Sequence, residues 1–315
     1  MNRTTAVFAI GLALAAALAT APATAQNARS FVSPTGLDTN NCQLATPCRT
    51  FAAAILLTNA GGEIAVLGTA GYGSVTITKA ISIVNGGGFE AAIAVPSTGT
   101  GITINAGASD AVSLRGLTIE GGGVGNTGIQ FNTGKSLTIE DCVIRHVVGD
   151  AVDFFPNAAA SIFVSNTRVT DNANHGIYVA PPIGAGVIGA VFNRVQANNN
   201  GNSGIAVYGG TSTGSIKADV YDSVAAGNTN IGFAAVTFGG GAPTTLTVSR
   251  SISANNLDGL YAEGTGALIR VANSMVIGNA NGWLTASSGV LQSAGDNTIE
   301  GNAGSETPPG TYATK

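Results

Sequence analysis

From Glu63 onward the chain runs in short stretches where apolar and polar residues alternate, separated by Gly and Asn. Ile64-Ala65-Val66, Val75-Thr76-Ile77, Ile81-Ser82-Ile83, Ile93-Ala94-Val95 and Ile102-Thr103-Ile104 are examples. A period of two with turn residues between the runs predicts short strands, each with one face in a core. The stretch before them differs. Thr50 to Leu57 is rich in helix formers and ends at Asn59-Ala60-Gly61-Gly62, which predicts one short amphipathic helix with a stop.

The strand pattern repeats. Ile162, Val164, Thr167, Val169, Asn172, Gly176 and Ile177 define a skeleton that returns as Ala218, Val220, Ser223, Ala225, Asn228, Gly232 and Phe233. It returns again through Leu246, Val248, Ser251, Asn256, Gly259 and Leu260, and through Ile269, Val271, Ser274, Val276, Asn279, Gly282 and Trp283. Weaker copies hold Leu137, Ile139, Cys142 and Ile144, then Ile188, Ala190, Asn193 and Asn198, and finally Asn297, Ile299 and Asn302. The markers Leu117, Cys142, Thr167, Asn193, Ser223, Ser251, Ser274 and Asn297 stand 25, 25, 26, 30, 28, 23 and 23 residues apart. A mid-twenties period with variable turns predicts a solenoid of stacked coils. A single coil cannot bury its apolar side chains alone, whereas a stack can. Neighbouring coils pair at about 4.8 Å, so like residues pile into columns. The columns expected are Asn172, Asn198, Asn228, Asn256, Asn279 and Asn302 at a left-handed corner, and a small inward column of Cys142, Thr167, Ser223, Ser251 and Ser274. Cys142 is then a buried thiol and not a nucleophile.

Composition adjusts this picture in two ways. Charged residues make up only 10% of the chain, with 13 Lys+Arg against 17 Asp+Glu, while Gly reaches 45 of 315. The surface must therefore be built from Asn, Ser, Thr and Gly, and no basic stripe is available for nucleic acid or an acidic membrane surface. The N-terminus reads as an address. Arg3 precedes an apolar run from Ala6 to Leu18, and Ala23-Thr24-Ala25 fits a cleavage site, so residues 1–25 are expected to be a signal peptide. The run is too short to span a bilayer, which needs roughly 20 apolar residues, and the mature chain shows no other candidate. Secretion or a periplasmic location follows. In that oxidising setting Cys42 and Cys48 are expected to form a disulfide. The domain plan is residues 1–25 as leader, 26–62 as an N-terminal cap, 63–302 as solenoid and 303–315 as a flexible tail.

The repeat resembles that of the right-handed parallel β-helix proteins of the pectin-lyase-like superfamily, from Glu63 to Asn302. The entry segment, with Cys42, Pro47, Cys48 and Arg49-Thr50-Phe51, resembles that of exported bacterial members. The resemblance implies an all-β, single-stranded right-handed parallel β-helix with a short capping helix. It also implies polysaccharide or cell-surface glycan as a partner. Its hydrolases of the polygalacturonase type carry Asn-Thr-Asp, Asp-Asp, Gly-His-Gly and Arg-Ile-Lys on successive coils. This chain has Asn126-Thr127-Gly128, Gly149-Asp150-Ala151, Asn174-His175-Gly176 and Ser215-Ile216-Lys217 instead. Two of the three acids are gone, and glycoside hydrolysis needs two carboxyl groups. Asp150, Asp153 and His175 are the residues left as catalytic candidates. A calcium-dependent lyase would need a cluster of oxygen ligands that the sequence does not supply, and no metal or cofactor is called for.

The register of the repeat makes a local statement of its own. Asp150, His175, Ser203, Asp258 and Asn281 fall in one column, where a coil spacing of about 4.8 Å is too long for a hydrogen-bonded relay without favourable rotamers, and an Asp–His surface pair is the alternative. The next outward column runs Gln130, Asp153, Tyr178, Ala206, Ala234, Tyr261 and Leu284. Rings beside polar edges suit sugar, so Gln130, Asp153, Tyr178 and Tyr261 are the ligand-binding candidates. The insertions Pro181-Pro182-Ile183-Gly184 and Gly239-Gly240-Gly241-Ala242-Pro243 follow this face and are placed to wall a groove. Two readings stand on the residues: a solenoid that binds or processes polysaccharide, as a hydrolase or lyase if an enzyme, or a non-catalytic structural or adhesive surface protein.

Overall fold

The computed structural model describes residues 26–313 apart from 183, 185, 211, 212, 240, 308 and 309, so the expected leader lies outside the described residues. The chain winds through about ten coils whose strands form three parallel sheets of 11, 10 and 9 strands. One coil illustrates the path. Ser136–Glu140 lies in the first sheet, Val143–Arg145 in the second and Val152–Phe154 in the third, before the chain returns to the first at Ala160–Ser165. The pairing is residue for residue, as in Leu137 with Ile162 and Ile139 with Val164.

The alternation decides which way each side chain points. Leu137, Ile139, Ile162, Val164, Phe192, Val220, Leu246, Val248, Ile269 and Val271 all face inward and are buried. Phe131 and Phe154 stack at 4.6 Å on adjacent coils. Burying each Leu, Ile or Val contributes about 1.5–3 kcal/mol, but only because the coil above closes the face that a single coil leaves wet.

The corners follow a two-residue rule. Between the first and second sheets one residue takes a left-handed conformation, with φ of 54° at Asp141, 47° at Asn166, 53° at Asp222 and 49° at Asn273. The following residue turns inward. Between the second and third sheets the same rule gives φ of 59° at Asp171, 54° at Asn199, 67° at Gly227 and 56° at Asn255. Asn, Asp and Gly tolerate this region best.

The inward corner residues form two ladders. In the first, the backbone N–H groups of Cys142, Val195, Ser223, Ser251 and Ser274 donate to the side chains of Thr167, Ser223, Ser251, Ser274 and Asn297, at 2.8–3.3 Å. In the second, Asn172, Asn200, Asn228, Asn256, Asn279 and Asn302 pass amide hydrogens from each Nδ2 to the next Oδ1 at 2.9–3.0 Å. Three expectations need correcting. The second ladder holds Asn200 in place of Asn198, and the first holds Val195 in place of Asn193, which makes the local spacing 28 residues at both steps. The ladder asparagines are also not the left-handed residues; each follows one. The triplet Asn198-Asn199-Asn200 cannot be registered by identity, because all three positions carry the same side chain.

The helix Phe51–Leu57 forms where expected. Thr50 accepts from the Ala53 N–H at 3.1 Å, while Asp38 holds the N–H groups of Arg49 and Thr50 at 2.9 Å. Phe51, Ala54 and Ile55 are buried, and Phe51 packs against Tyr72 at 5.1 Å. Cys42 and Cys48 are disulfide-bonded with Cα atoms 4.7 Å apart. At the other end Thr311 bridges to Ser293, and Trp283 Nε1 donates to the Thr307 carbonyl at 2.7 Å. Among the described residues no helix is long and apolar enough to cross a membrane.

Candidate functional site

The third sheet carries the candidate face, and its register is the one the sequence predicts. Gln130, Asp153, Tyr178, Ala206, Ala234, Tyr261 and Leu284 pair in succession across seven coils. A second row, Tyr208, Val236 and Glu263, runs beside it two residues further along each strand. Between these rows lies a groove of about 390 Å³. Its floor is made by Ala206 and Ala234, whose small side chains let larger neighbours stand around them. Tyr178, Tyr208, Phe238 and Tyr261 are its rings, and Tyr208 lies 6.0 Å from Tyr178 and 5.4 Å from Phe238. Asn202, Ser203, Asn230, Asp258 and Glu263 supply polar edges.

Most strands enter this sheet through a glycine column, Gly128, Gly176, Gly204, Gly232, Gly259 and Gly282, in which Ala151 takes one place. A Cβ on Gly176 would stand 2.6 Å from the Gly204 carbonyl oxygen, and one on Gly259 would stand 2.5 Å from that of Gly282. At these glycines the backbones approach too closely for a side chain. This is the origin of the Gly-apolar step in the repeat, and it fixes where the groove residues begin.

Asp150, Asp153 and His175 come together at one end of the groove. One oxygen of Asp150, Oδ1, accepts from both the backbone N–H and the ring Nδ1 of His175, each at 2.8 Å. This is the Asp–His pair expected as the alternative to a relay, and the rotamers of the two side chains close the gap between coils. The His175 ring lies flat on Tyr178, with centroids 4.5 Å apart and planes inclined by 11°. Phe155 meets the same Tyr178 edge-on at 5.6 Å.

The two carboxyls differ in charge. Burial works to raise Asp150, but the His175 ring and N–H, with a hydrogen bond from Asp153, outweigh it and hold Asp150 below the usual carboxylate range. Burial and the neighbouring Asp150 push Asp153 up to about 8, with Thr127 opposing weakly. Asp153 Oδ1 is also buried without a hydrogen-bond partner, which a neutral carboxyl tolerates far better than an ionised one. At neutral pH the pair is one carboxylate and one carboxylic acid sharing a proton. Burial, together with the neighbouring Tyr208, Asp150 and Asp153, raises the Tyr178 hydroxyl to about 12. At the far end Tyr261 donates to Glu263 Oε2 at 2.7 Å, and Asn281 donates to Asp258 Oδ1 at 2.8 Å.

This geometry limits the chemistry. Glycoside hydrolysis sets its carboxyl groups about 5–5.5 Å or 6.5–9.5 Å apart, on either side of the scissile bond. Asp150 and Asp153 are both largely buried on one coil at one end of the groove and do not face each other across it. Nor does a nucleophilic serine complete the column, since Ser203 Oγ donates to Asn202 Oδ1 at 3.4 Å. Lys217 lies on the first sheet, beside Gly189 and Thr245, and does not face the groove. Cys142 is buried, and burial pushes its thiol up to about 12. Among the described residues no three His, Cys, Asp or Glu side chains converge as metal ligands.

Of the binding candidates, Tyr178 and Tyr261 line the groove. Asp153 lies beneath its end, and Gln130 sits one coil beyond, in the same row but outside the groove. Tyr208, Phe238, Asp258 and Glu263 were not picked out as ligand contacts. Tyr208 and Glu263 stand two residues after Ala206 and Tyr261, so the same-face period of a strand marks them. Phe238, which lines the groove, stands just before the insertion that begins at Gly239.

Parallel coils, inward ladders and a groove on one sheet define the class: a right-handed parallel β-helix with a pectin-lyase-like fold. Residues 40–181 match the family described as the right handed beta helix region. The alginate lyase from Paenibacillus sp. strain FPU-7 is similar in structure, with a TM-score of 0.64 and 12% identity, covering 91% of this chain and 100% of that one. A rhamnogalacturonan lyase gives 0.54 at 14% identity, covering 83% of this chain and 84% of that one. At such identities the likeness is one of fold. No curated protein matches the sequence significantly.

Proposed function

We propose that this protein is an exported solenoid that binds polysaccharide in the groove of its third sheet. The observation that carries the reading is the run of rings, Tyr178, Tyr208, Phe238 and Tyr261, around an alanine floor with amide and carboxyl groups at the edges. Sugar faces stack on rings while their hydroxyls need donors and acceptors at the rim. A groove open along the solenoid axis suits a chain more than a small molecule. The names of the two structural neighbours, both polysaccharide lyases, point to the same class of ligand. The alternative, an adhesive solenoid acting through its Asn and Ser columns, is weakened because those columns lie inside the coils. The shared proton of Asp150 and Asp153 favours binding over hydrolysis.

Export rests on the leader pattern of residues 1–25 together with the disulfide, which persists in oxidising compartments. We read residues 26–62 as a cap in which the helix shields the first coil.

Isothermal titration against a panel of plant and bacterial polysaccharides tests the binding reading. Tyr178→Ala and Tyr261→Ala are each expected to weaken binding about tenfold, the equivalent of one lost ring contact at roughly 1.4 kcal/mol. Absence of binding to every polysaccharide, or binding indifferent to both variants, would falsify it.

A further inference from the structure

The 13 Lys and Arg residues of the chain are distributed unevenly. None lies on any of the nine strands of the groove sheet, which carry Asp153, Asp258 and Glu263. None lines the groove either. The guanidinium groups are engaged elsewhere. Arg115 pairs with Asp141, Arg145 with Glu120 and Arg250 with Asp222, in the first and second sheets and the corner between them. From the charge of this face we propose that the bound glycan is built of uncharged sugars and that acidic polysaccharides are excluded. This rests on the reading of the groove as a polysaccharide site and gives its substrate class.

The argument is one of desolvation and sign. A polyuronate brings one carboxylate per sugar. Laid along the groove, those carboxylates would leave water for an apolar floor, where Ala206 and Ala234 are 6% and 1% exposed. A buried carboxylate needs a cation or several donors. Here it would meet the carboxyl groups of Asp258 and Glu263 at one end and Asp150 at the other, with no Lys or Arg to compensate and with His175 already bonded to Asp150. Like charges brought together on binding act as a rejection device. A neutral sugar meets the same groups favourably. Carboxylates are strong acceptors for hydroxyl hydrogens, and the Asn202 and Asn230 amides both donate and accept. Those two asparagines are aligned by their own ladder, in which Asn230 Nδ2 donates to Asn202 Oδ1 at 3.2 Å and Asn202 Nδ2 to Asn174 Oδ1 at 3.1 Å.

The test uses matched pairs that differ only at C6, a hydroxymethyl group against a carboxylate. β-1,4-Mannohexaose against hexamannuronate, cellohexaose against its glucuronate counterpart, and α-1,4-galactohexaose against hexagalacturonate are titrated into the mature protein at neutral pH. In the pair whose backbone fits, the neutral member is expected to bind at least about tenfold more tightly at low salt. The gap should narrow at ~0.5 M salt, where the Debye length shrinks to a few ångströms. An Asp258→Asn/Glu263→Gln variant should improve uronate binding severalfold relative to the neutral partner. Equal or tighter binding of a uronate member by the unmodified protein overturns the charge inference and leaves the groove as a polysaccharide site. Binding of neither member in any pair overturns both together.

Discussion

Replacing Asp153 by Asn tests the electrostatics at the end of the groove with no change of shape. In the folded protein this carboxyl is raised to about 8 from an ordinary 3.8. Between those values the folded state keeps a proton that the unfolded chain releases, so stability falls as pH rises towards 8 and is flat beyond it. One retained proton corresponds to a slope of about 1.4 kcal/mol per pH unit, or at most ~4 kcal/mol from pH 5 to pH 8. Sharing the proton with Asp150 and partial contact with solvent reduce this to about 2 kcal/mol. Asn cannot ionise, and its amide donates to Asp150 as the protonated acid does. Asp153→Asn is therefore expected to match the wild type near pH 5 and to exceed it at pH 8, with a gap in Tm of about 4 °C. Thermal unfolding followed by circular dichroism at pH 5, 6, 7 and 8 reads it. Two parallel profiles, separated by the same amount at every pH, would refute the shared proton and with it the distinct roles of Asp150 and Asp153.

Other outcomes follow from the stacking. Asn228→Ala removes the acceptor of the Asn200 N–H and the donor to the Ala197 carbonyl, both at 3.0 Å, so chemical denaturation should show a loss of about 3 kcal/mol from buried orphaned groups. Gly204→Ala would place a methyl 2.9 Å from the Gly232 carbonyl oxygen, and because the groove strand begins at Ile205 it should lower both Tm and polysaccharide affinity. Cys142 should resist iodoacetamide in the native protein and react fully after denaturation, as mass spectrometry would show. Reducing the Cys42–Cys48 bond, which closes a loop of six residues' separation, should cost about 2 kcal/mol, measured as a drop in Tm with reductant.

Much of this was legible along the chain because a solenoid turns sequence spacing into spatial stacking. The row from Gln130 to Leu284 holds register for register, since a step of a small residue and an apolar one, Gly in every case but Ala151, marks the start of each strand that carries it. The ladders were legible in kind but not in every member. Among three consecutive asparagines only the corner geometry selects Asn200 as the inward one, and Val195 enters the other ladder through its backbone N–H, which side-chain identity cannot reveal. Tyr208 was readable from the strand period but needed the width of the groove to give it a purpose.

The sequence by itself determined the coil, its period, the inward faces and the columns, because these follow from local alternation and from repeats that must bury one another. Only the tertiary structure decided the direction of the Asp150 carboxylate, its bond to His175, the proton left on Asp153 and the absence of Lys and Arg around the groove's rings. Those depend on rotamers, on burial and on which of three faces a charged residue occupies, and none of the three is carried by spacing alone.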